Sequence, residues 1–383
     1  MPIRIAVVGI GAMGSGIVRT LLKANDIEIV AVADKNPMAH KRIQPILSAS
    51  TLVTTEASEI LRKKPDILID ATPAILESAI LITQALEQKI NVILMNSEVD
   101  QLLGQLLARK AKENGVILTS DAGDQYGVLA RMIEDLELMG VEIVMAGNNK
   151  GFLNRYATPS SLENEAAIRR LSLNQCTAYT DGTKLAIEMA IIGNAENLGL
   201  IGKHMMGPRI DDLYDALSAF DLEAARKTGG VVDYVLGARP GGSVFVIGYL
   251  QDPEDQFYMN YYKMGSGPYY LFIRPYHLCS FETPIAVRRI VESNKPILTQ
   301  SRKILEVCAY AKTDIKSGTK LDGIGGYHLY GMLEKPGGLP IGLSDRATIL
   351  KDKKKDEPIK WEDVKIPEKD PLLALWQEQN LEN

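Results

Sequence analysis

The sequence predicts an α/β protein with an amino-terminal doubly wound parallel sheet, an α+β substrate domain and a small β-rich carboxyl-terminal module. Three observations predict this class. An apolar run over residues 3–8 is followed at once by a glycine-rich turn over 9–14. Strand-like and helix-like segments alternate through the first third of the chain, as they do in parallel sheets. After about residue 135 this alternation gives way to a mixed pattern.

The glycine-rich turn has the spacing of a dinucleotide-binding loop. Gly9 permits a tight turn from strand to helix, Gly11 lets a pyrophosphate approach the backbone, and Gly14 lets the helix pack closely on the sheet. The N–H groups and the dipole at the start of the following helix then face the phosphates. The predicted cofactor-binding residues of this turn are Gly9, Gly11, Ala12, Met13 and Gly14.

Asp34 strengthens the prediction of a dinucleotide site. A second apolar strand over 27–33 ends at Asp34, twenty residues after Gly14, which is close to the separation expected of a ribose-binding carboxylate. The alternative is a glycine turn in a domain that binds nothing. That alternative gives Asp34 no reason to stand at the end of the strand, so NAD(P)H binding is the favoured interpretation.

The order of elements predicts a Rossmann-type sheet. The strand candidates are 3–8, 27–33, 67–70, 91–95 and 116–119. Helix-like patterns lie near 13–24, 56–63, 75–88 and 100–114. Ligands of such sheets bind beyond the carboxyl ends of the strands. The residues expected to line the nicotinamide half of the site are Thr72, Pro73, Asn96 and Glu98, with ordinary turn chemistry as the alternative.

The rest of the chain predicts a second domain and a third. A strand over 141–146 and a long helix over 180–199 are expected, with Asp181 as the N-cap and Gly199 as the stop. Residues 228–274 are rich in glycine and β-forming runs. The predicted domains are 1–135, 136–280 and 301–383, and residues 280–300 are expected to return to the first domain. A helix over 282–293, a solvated charge run at 351–357 and a closing helix at 372–379 are also expected.

Composition narrows the function classes. The chain has 383 residues, 46% hydrophobic and 24% charged, so two or three ordinary globular domains are expected. A net charge of −5 implies no basic face, which argues against nucleic acid as a partner. The three cysteines form no metal-type pair, and a reduced cytoplasm is expected. No signal peptide and no membrane-spanning run is expected. A small-molecule substrate and a homo-oligomer are the expected partners.

The predicted helix over 180–199 carries the candidate catalytic groups. Asp181, Lys184 and Glu188 are spaced i, i+3 and i+7, so they share one face. Carbonyl reduction needs an acid near the developing alkoxide. Lys184 is the first choice for this acid and His277 the second. Asp181, Glu163 and Glu188 together offer hard oxygen ligands for a divalent ion. On spacing alone, the alternative of a solvated face with a weak Lys–Glu pair is favoured.

Five further basic residues are candidates for substrate binding, because arginine and lysine hold anionic groups. The alternative for each arginine is a surface ion pair. These residues are Lys150, Arg155, Arg209, Lys263 and Arg274.

These motifs resemble two known groups of enzymes. The turn at 9–17, the Asp70–Pro73 turn and the strand end at 92–96 resemble homoserine dehydrogenase. The middle of the chain resembles the deoxyxylulose phosphate reductoisomerase-like oxidoreductases, which join a homoserine-dehydrogenase-like body to a carboxyl-terminal SAF-type module. The stretches that carry this second resemblance are 123–125, 181–189, 263–270, 274–278 and the segment around 311–321.

The resemblance implies an NAD(P)H-dependent reductase. In the reductoisomerase-like members, deoxyxylulose phosphate becomes methylerythritol phosphate for isoprenoid biosynthesis, and a divalent ion holds the ketol oxygens. The lysine on the motif helix of homoserine dehydrogenases corresponds to Lys184.

Two departures keep other hypotheses open. Homoserine dehydrogenases usually carry Asn-Lys where this chain has Asn96-Ser97. Asp34 suits the 2′-hydroxyl of NAD and repels the 2′-phosphate of NADPH, so either Lys35 and Arg42 compensate or the substrate differs. Homoserine dehydrogenase-type chemistry, including aspartate semialdehyde, is the second hypothesis, and a non-catalytic nucleotide sensor is the third.

Overall fold

The computed structural model describes residues 1–381. Its strands are β1 (Ile3–Val8), β2 (Ile27–Ala33), β3 (Leu52–Thr54), β4 (Ile67–Asp70), β5 (Asn91–Leu94), β6 (Leu118–Ser120), β7 (Glu142–Lys150), β8 (Val231–Leu236), β9 (Val244–Tyr249), β10 (Tyr269–Arg274), β11 (Glu306–Ala311), β12 (Leu329–Glu334), β13 (Thr348–Ile349) and β14 (Val364–Lys365). Its α-helices are α1 (Ala12–Leu21), α2 (Pro37–Ile43), α3 (Leu76–Glu87), α4 (Ser97–Asn114), α5 (Gln125–Leu138), α6 (Glu163–Arg169), α7 (Leu173–Asp181), α8 (Thr183–Glu196), α9 (Ala216–Ala219), α10 (Leu222–Lys227), α11 (Pro253–Tyr261), α12 (Cys279–Ser293) and α13 (Pro371–Leu381).

The chain divides into two compact units, and each is assembled from separate segments. Unit 1 comprises residues 1–124, 278–301 and the segment from Glu368 onward. Unit 2 comprises 125–277 and 302–367. The β-rich residues predicted as a third domain therefore pack mostly within unit 2, while α13 belongs to unit 1. The domain limits drawn from the sequence stay predictions.

Unit 1 contains a six-stranded parallel sheet in the order β3-β2-β1-β4-β5-β6. This is the Rossmann order, and the strand order reverses between β1 and β4. One face of the sheet is covered in part by α12, whose Ala286, Val287 and Ile290 are buried in the same core as Ile5 and Val7. The predicted fold class is confirmed for this unit.

Several local boundaries of unit 1 differ from the predictions. The short strand β3 and helix α2 were not predicted. The segment predicted as helical over 56–63 forms a 3-10 helix, Ala57–Lys63. Helix α4 begins three residues before the predicted 100, because the side chain of Asn96 accepts the backbone N–H of Val99 and so caps the helix.

Unit 2 is built on a four-stranded mixed sheet in the order β10-β9-β7-β8. The pair β7–β8 is parallel, and the pairs β7–β9 and β9–β10 are antiparallel. Gly147 on β7 lies against the Phe245 ring, where a Cβ atom would fall 2.1 Å from a ring carbon. The α+β character predicted for the middle of the chain is confirmed, whereas helix α5 was missed.

The long helix predicted over 180–199 is interrupted. Gly182 has a φ of 90° and separates α7 from α8, because a residue in the left-handed region ends the regular helix. Asp181 is therefore the last residue of α7 and not an N-cap, although its Oδ1 accepts the N–H of Thr183 at 2.9 Å. The second helix ends at Glu196 with Asn197 in the left-handed region, before the predicted stop at Gly199.

Two small antiparallel pairs, β11–β12 and β13–β14, form the β-rich part of unit 2. The N–H of Gly331 on β12 donates to Thr183 Oγ1 at 2.8 Å, so this part packs on the start of α8. In unit 1, the side chain of Gln379 on α13 donates to Leu102 O at 2.9 Å and thereby joins α13 to α4. Within residues 1–381, no helix is long and apolar enough to cross a membrane.

Candidate active site

The glycine turn of unit 1 combines two packed glycines with one open glycine. Gly9 has a φ of 80°, and a Cβ on it would lie 2.7 Å from the Ala71 carbonyl carbon. A Cβ on Gly14 would lie 1.8 Å from Gly9 O, so the helix and the turn approach too closely for any side chain. A Cβ on Gly11 would meet nothing within 4 Å. The turn is therefore closed towards the sheet and open at Gly11, as a pyrophosphate site requires.

The start of α1 is the second part of the phosphate site. Gly11 is its N-cap and supplies no capping side chain, so the first-turn N–H groups of α1 are not capped by a side chain of that residue. Met13 is 38% exposed in this first turn and Ala12 is partly exposed. These groups fit the pyrophosphate of a dinucleotide.

The Asp34 carboxylate is fixed against the glycine turn. Its Oδ2 accepts the N–H of Ile10 at 2.9 Å, and its Oδ1 accepts the N–H of Asn36 at 2.8 Å. The side chain is partly exposed. Because each carboxylate oxygen has more than one acceptor site, both still have capacity for ribose hydroxyls. The residues present therefore fit NAD(P).

Asn96 lies at the ends of β4 and β5 in a buried polar network. Its Nδ2 donates to Ala74 O at 2.6 Å and to Asp70 Oδ2 at 3.1 Å, and its Oδ1 caps α4. Burial raises the pKa of Asp70 to about 6, and hydrogen bonds to its carboxylate oppose this rise. The network accounts for Asn96 by turn chemistry and capping, and its role towards the cofactor stays a prediction.

The other three residues predicted for the nicotinamide half lie in the same loops. Thr72 Oγ1 is 2.8 Å from Ser78 Oγ. Pro73 is exposed, and the partly buried Glu98 accepts a hydrogen bond from Ser97 Oγ at 3.4 Å. All three follow β4 or β5, at the edge where nucleotides bind in this fold.

In unit 2, two predicted cations meet on one aromatic ring. Lys184 Nζ lies 5.9 Å and Lys150 Nζ 5.8 Å from the ring centroid of Tyr179. Lys184 is only 7% exposed, whereas the alternative reading of this helix expected a solvated face. Glu188, one turn further along α8, is 1% exposed. This burial does not fit the alternative of a solvated face, and the ring of Tyr179 lies within 6 Å of both lysine ammonium groups.

Asp181 is committed to a buried ion pair. Its Oδ2 lies 2.9 Å from Lys312 Nζ, which also donates to Ala157 O at 2.8 Å and to Gly326 O at 2.9 Å. Burial raises the pKa of Asp181, and the Lys312 ammonium opposes this rise. All three protons of the ammonium have acceptors. This geometry gives Asp181 a structural function at the break between α7 and α8.

The three carboxylates suggested as metal ligands are not assembled as a set. Asp181 is paired with Lys312, Glu163 is exposed at the start of α6, and Glu188 is buried in α8. Among the residues that the structure describes, no group of three or more His, Cys, Asp or Glu side chains is placed to hold a metal ion. The donor set present does not fit a protein-held divalent ion.

The remaining predicted residues lie in different surroundings. His277 Nδ1 is 3.0 Å from Gly242 O, and the Arg274 guanidinium lies 4.9 Å from the Tyr276 ring centroid. Arg209 and Lys263 are exposed. A small crevice in unit 2 is lined by two predicted residues, Arg155 and Asp181, together with Tyr234 and Gly182.

A buried polar cluster around Tyr310 was missed. Tyr310 Oη accepts from Lys203 Nζ and donates to Glu334 Oε2, both at 2.9 Å, and His204 Nε2 lies 3.1 Å away. Lys312, the partner of Asp181, was missed as well. The available signal is that Tyr310 lies in an apolar strand and Lys312 follows directly after it, so that two polar side chains stand at the end of a run of buried residues.

Two family models match the chain. The NAD-binding domain of homoserine dehydrogenase matches residues 9–120. The catalytic domain of the oxidoreductase DRL matches residues 123–283. The resemblance drawn from the sequence is confirmed for these two parts, whereas the SAF-type module stays a prediction.

Solved structures match parts of the chain at low identity. WlbA dehydrogenase from Bordetella pertussis, in complex with NADH and UDP-GlcNAcA, is 18% identical over 43% of this chain, with a TM-score of 0.34. The chain spans about half the length of that protein, 50%. A probable dehydrogenase from Thermotoga maritima is 12% identical and matches over 76% of this chain and 90% of its own, with a TM-score of 0.45. S. aureus homoserine dehydrogenase is 24% identical over 36% of this chain and 42% of its own, with a TM-score of 0.28. No curated protein matches the chain.

Proposed function

We propose that this chain, an NAD(P)-binding oxidoreductase, reduces the carbonyl group of a small phosphorylated hydroxy-carbonyl compound. The observation that carries the proposal is the pair of cations, Lys150 and Lys184, at the ring of Tyr179. The pair lies within the residues that match an oxidoreductase catalytic domain. Deoxyxylulose phosphate, converted to methylerythritol phosphate, is the substrate we propose first, because the resemblance of the middle motifs implies it.

Deoxyxylulose phosphate would first undergo an α-ketol rearrangement, in which one carbon–carbon bond breaks as another forms and a hydroxyl proton moves to the former ketone oxygen, giving an isomeric aldehyde. Reduction of that aldehyde, or of another carbonyl substrate directly, needs one hydride and one proton. A nicotinamide cofactor held by the glycine turn and Asp34 would supply the hydride. Lys184 donates the proton to the carbonyl oxygen, with His277 as the second candidate, and a positioned proton donor contributes about 10²–10⁴-fold to such a step. Lys150 and Arg155 hold the phosphate as cationic donors. No step is routed through a metal ion, since the carboxylates suggested for it are not assembled.

A substrate panel tests the proposal. We would follow oxidation of NADH and NADPH with deoxyxylulose phosphate, its dephosphorylated form, aspartate semialdehyde and other sugar phosphates, each with and without added Mg²⁺ or Mn²⁺. We expect turnover with a phosphorylated compound and a KM at least about tenfold lower than for the form without phosphate, since an ion pair to phosphate is lost.

Two other outcomes would replace the proposal. Turnover of aspartate semialdehyde alone would favour homoserine dehydrogenase-type chemistry. Tight NADH binding without oxidation by any compound would favour a nucleotide sensor. Calorimetric titration of NADH, made on the same preparation, distinguishes these outcomes from a protein that has lost its cofactor site.

A further inference from the structure

We infer that unit 1 contains a second ligand site, a cavity that takes a small carboxylate with an apolar body. The cavity has a volume of about 460 Å³. Its walls are the carboxyl-terminal half of α4, the start of β6 and the segment 296–301. Volumes of about 300–1,000 Å³ are typical of small-molecule sites. This inference does not depend on the proposed function.

Most of the cavity lies towards the beginning of β6, away from the strand end that carries the dinucleotide turn. Val116, Ile117 and Leu118, which line it, lead into and begin β6. The glycine turn follows the carboxyl end of β1. Because all six strands are parallel, all strands begin at one end of the sheet and finish at the other. A ligand in the cavity therefore leaves the cofactor site open.

The charges that line the cavity have one sign. Its ionisable lining residues are Arg109 and Lys112, which stand three residues apart on one face of α4. The Arg109 guanidinium is held in place by α13, since Nη1 donates to Gln379 O and Nη2 to Glu378 O, both at 3.4 Å. The described lining contains no carboxylate. The site therefore favours an anion.

The remaining walls suit a hydrocarbon body. Ala108, Ala111, Val116, Ile117 and Pro296 present carbon to the cavity, and apolar walls with a few convergent polar groups are typical of sites for small organic molecules. The hydroxyl group of Ser301 adds a hydrogen-bond donor, whereas that of Thr299 already donates to Leu118 O at 3.0 Å. An inorganic anion would leave the apolar walls without contact, so the ligand combines a carboxylate with an apolar part.

One wall of the cavity is fixed before any ligand binds. Gln300 Nε2 donates to Asp100 Oδ1 at 2.9 Å, and Ser120 donates to the other oxygen of the same buried carboxylate. These contacts tie the segment 296–301 to α4 and to the end of β6. A preformed wall lowers the ordering cost of binding.

Benzoate and its neutral analogue benzamide are the probes that test this inference. Saturation-transfer NMR and calorimetry on the full chain should detect benzoate binding. Benzamide should bind at least about tenfold more weakly, because it cannot form the charged contact. Ala108→Trp, which fills the cavity from a partly exposed position, should abolish benzoate binding and retain NADH binding. Lys112→Glu should weaken benzoate by about tenfold or more.

Lys369→Glu is the matched control, since Lys369 is exposed, lies outside the cavity and undergoes the same change of charge. Its benzoate affinity should stay within about twofold of the wild type. The inference is overturned if the wild type does not bind benzoate, if benzamide binds equally well, or if Ala108→Trp retains the affinity. Should Ala108→Trp fail to fold, as judged by circular dichroism, the comparison of Lys112→Glu with Lys369→Glu decides alone.

Discussion

Asp34 is oriented before a cofactor arrives. The backbone N–H groups of Ile10 and Asn36 each occupy one acceptor site of its carboxylate. Lys35, the residue considered as compensation for NADPH, lies 3.5 Å from Glu77 in an exposed pair, and such pairs contribute little. The residue-scale geometry therefore favours a ribose with a free 2′-hydroxyl, and NADH is expected to bind more tightly than NADPH.

A single substitution tests the expected cofactor preference. Asp34→Ser removes both the acceptor for the ribose and the charge that repels a 2′-phosphate. We expect NADH affinity to fall about tenfold or more, since hydrogen bonds to a charged group contribute roughly 1.5–3 kcal/mol, and NADPH affinity to rise. Calorimetry on both nucleotides measures this, with the exposed Glu87→Ser as a control of equal charge. An unchanged ratio of the two affinities would contradict the assignment.

Lys184 is expected to act on turnover rather than on cofactor affinity. Because the proposed role of Lys184 is proton transfer and the proposed cofactor-binding groups are the glycine turn and Asp34, Lys184→Ala should lower kcat by about 100-fold or more and leave the NADH Kd within about twofold. Lys184→Met, which keeps most of the buried volume, should show the same loss. The exposed Lys227→Ala serves as the control. An equal loss of turnover and NADH affinity would assign Lys184 a structural role.

At the scale of elements, the break between α7 and α8 depends on a contact between residues far apart in the chain. Lys312 follows β11 and reaches Asp181 across 131 positions of sequence. Lys312 is only 4% exposed, and its ammonium donates to Asp181 Oδ2 and to two backbone carbonyl oxygens. The ion pair therefore fixes the end of α7 against the β-rich part of unit 2.

Removing only the lysine of this pair should lower the free energy of unfolding strongly. Removing both charges should lower it much less. Lys312→Met leaves Asp181 buried without its cation, and we expect a loss of about 3–5 kcal/mol in the free energy of unfolding. The double change Asp181→Asn with Lys312→Met should recover much of that loss. Urea denaturation of the three proteins measures it. If the double variant is as unstable as Lys312→Met, the charge of Asp181 is not the cause.

The elements that could be predicted are those with strong local patterns. Strands β1 and β2 match the predicted limits, because their apolar runs end at a glycine turn and at Asp34. The helix break at Gly182 could not be predicted, because an isolated glycine also occurs inside helices. Lys312 was missed because its partner is distant in sequence and no local pattern reports such a contact. The approach of both Lys150 and Lys184 to the ring of Tyr179 was likewise not predictable from local spacing.

At the scale of the whole molecule, buried carboxyl groups set the dependence of stability on pH. Burial raises the pKa of Asp70, Asp100 and Asp233 to about 6 and that of Asp121 to about 7. Each binds its proton more tightly in the folded chain than in the unfolded one. Their contribution to stability is therefore full below about pH 4 and declines as the pH rises towards 7.

Asp121→Asn isolates this effect. Burial is the main cause of the raised pKa of Asp121. In the wild type the N–H of Gly123 donates to Asp121 Oδ2 at 2.8 Å, and the amide oxygen of the asparagine can accept the same hydrogen bond. We expect the variant to exceed the wild type by about 1–3 kcal/mol at pH 8 and by much less at pH 4. Urea titrations across this range measure it, with the exposed Glu87→Gln running parallel to the wild type. A constant difference across the range would refute the explanation.

The late position of α12 in the chain has a consequence for synthesis. All six strands of the parallel sheet have left the ribosome well before residues 279–293 are made, yet Ala286, Val287 and Ile290 cover part of the sheet core. At about 5–20 residues per second, the nascent chain carries this uncovered apolar face for roughly ten to thirty seconds. The nascent sheet is therefore a natural client for chaperones that shield growing polypeptides.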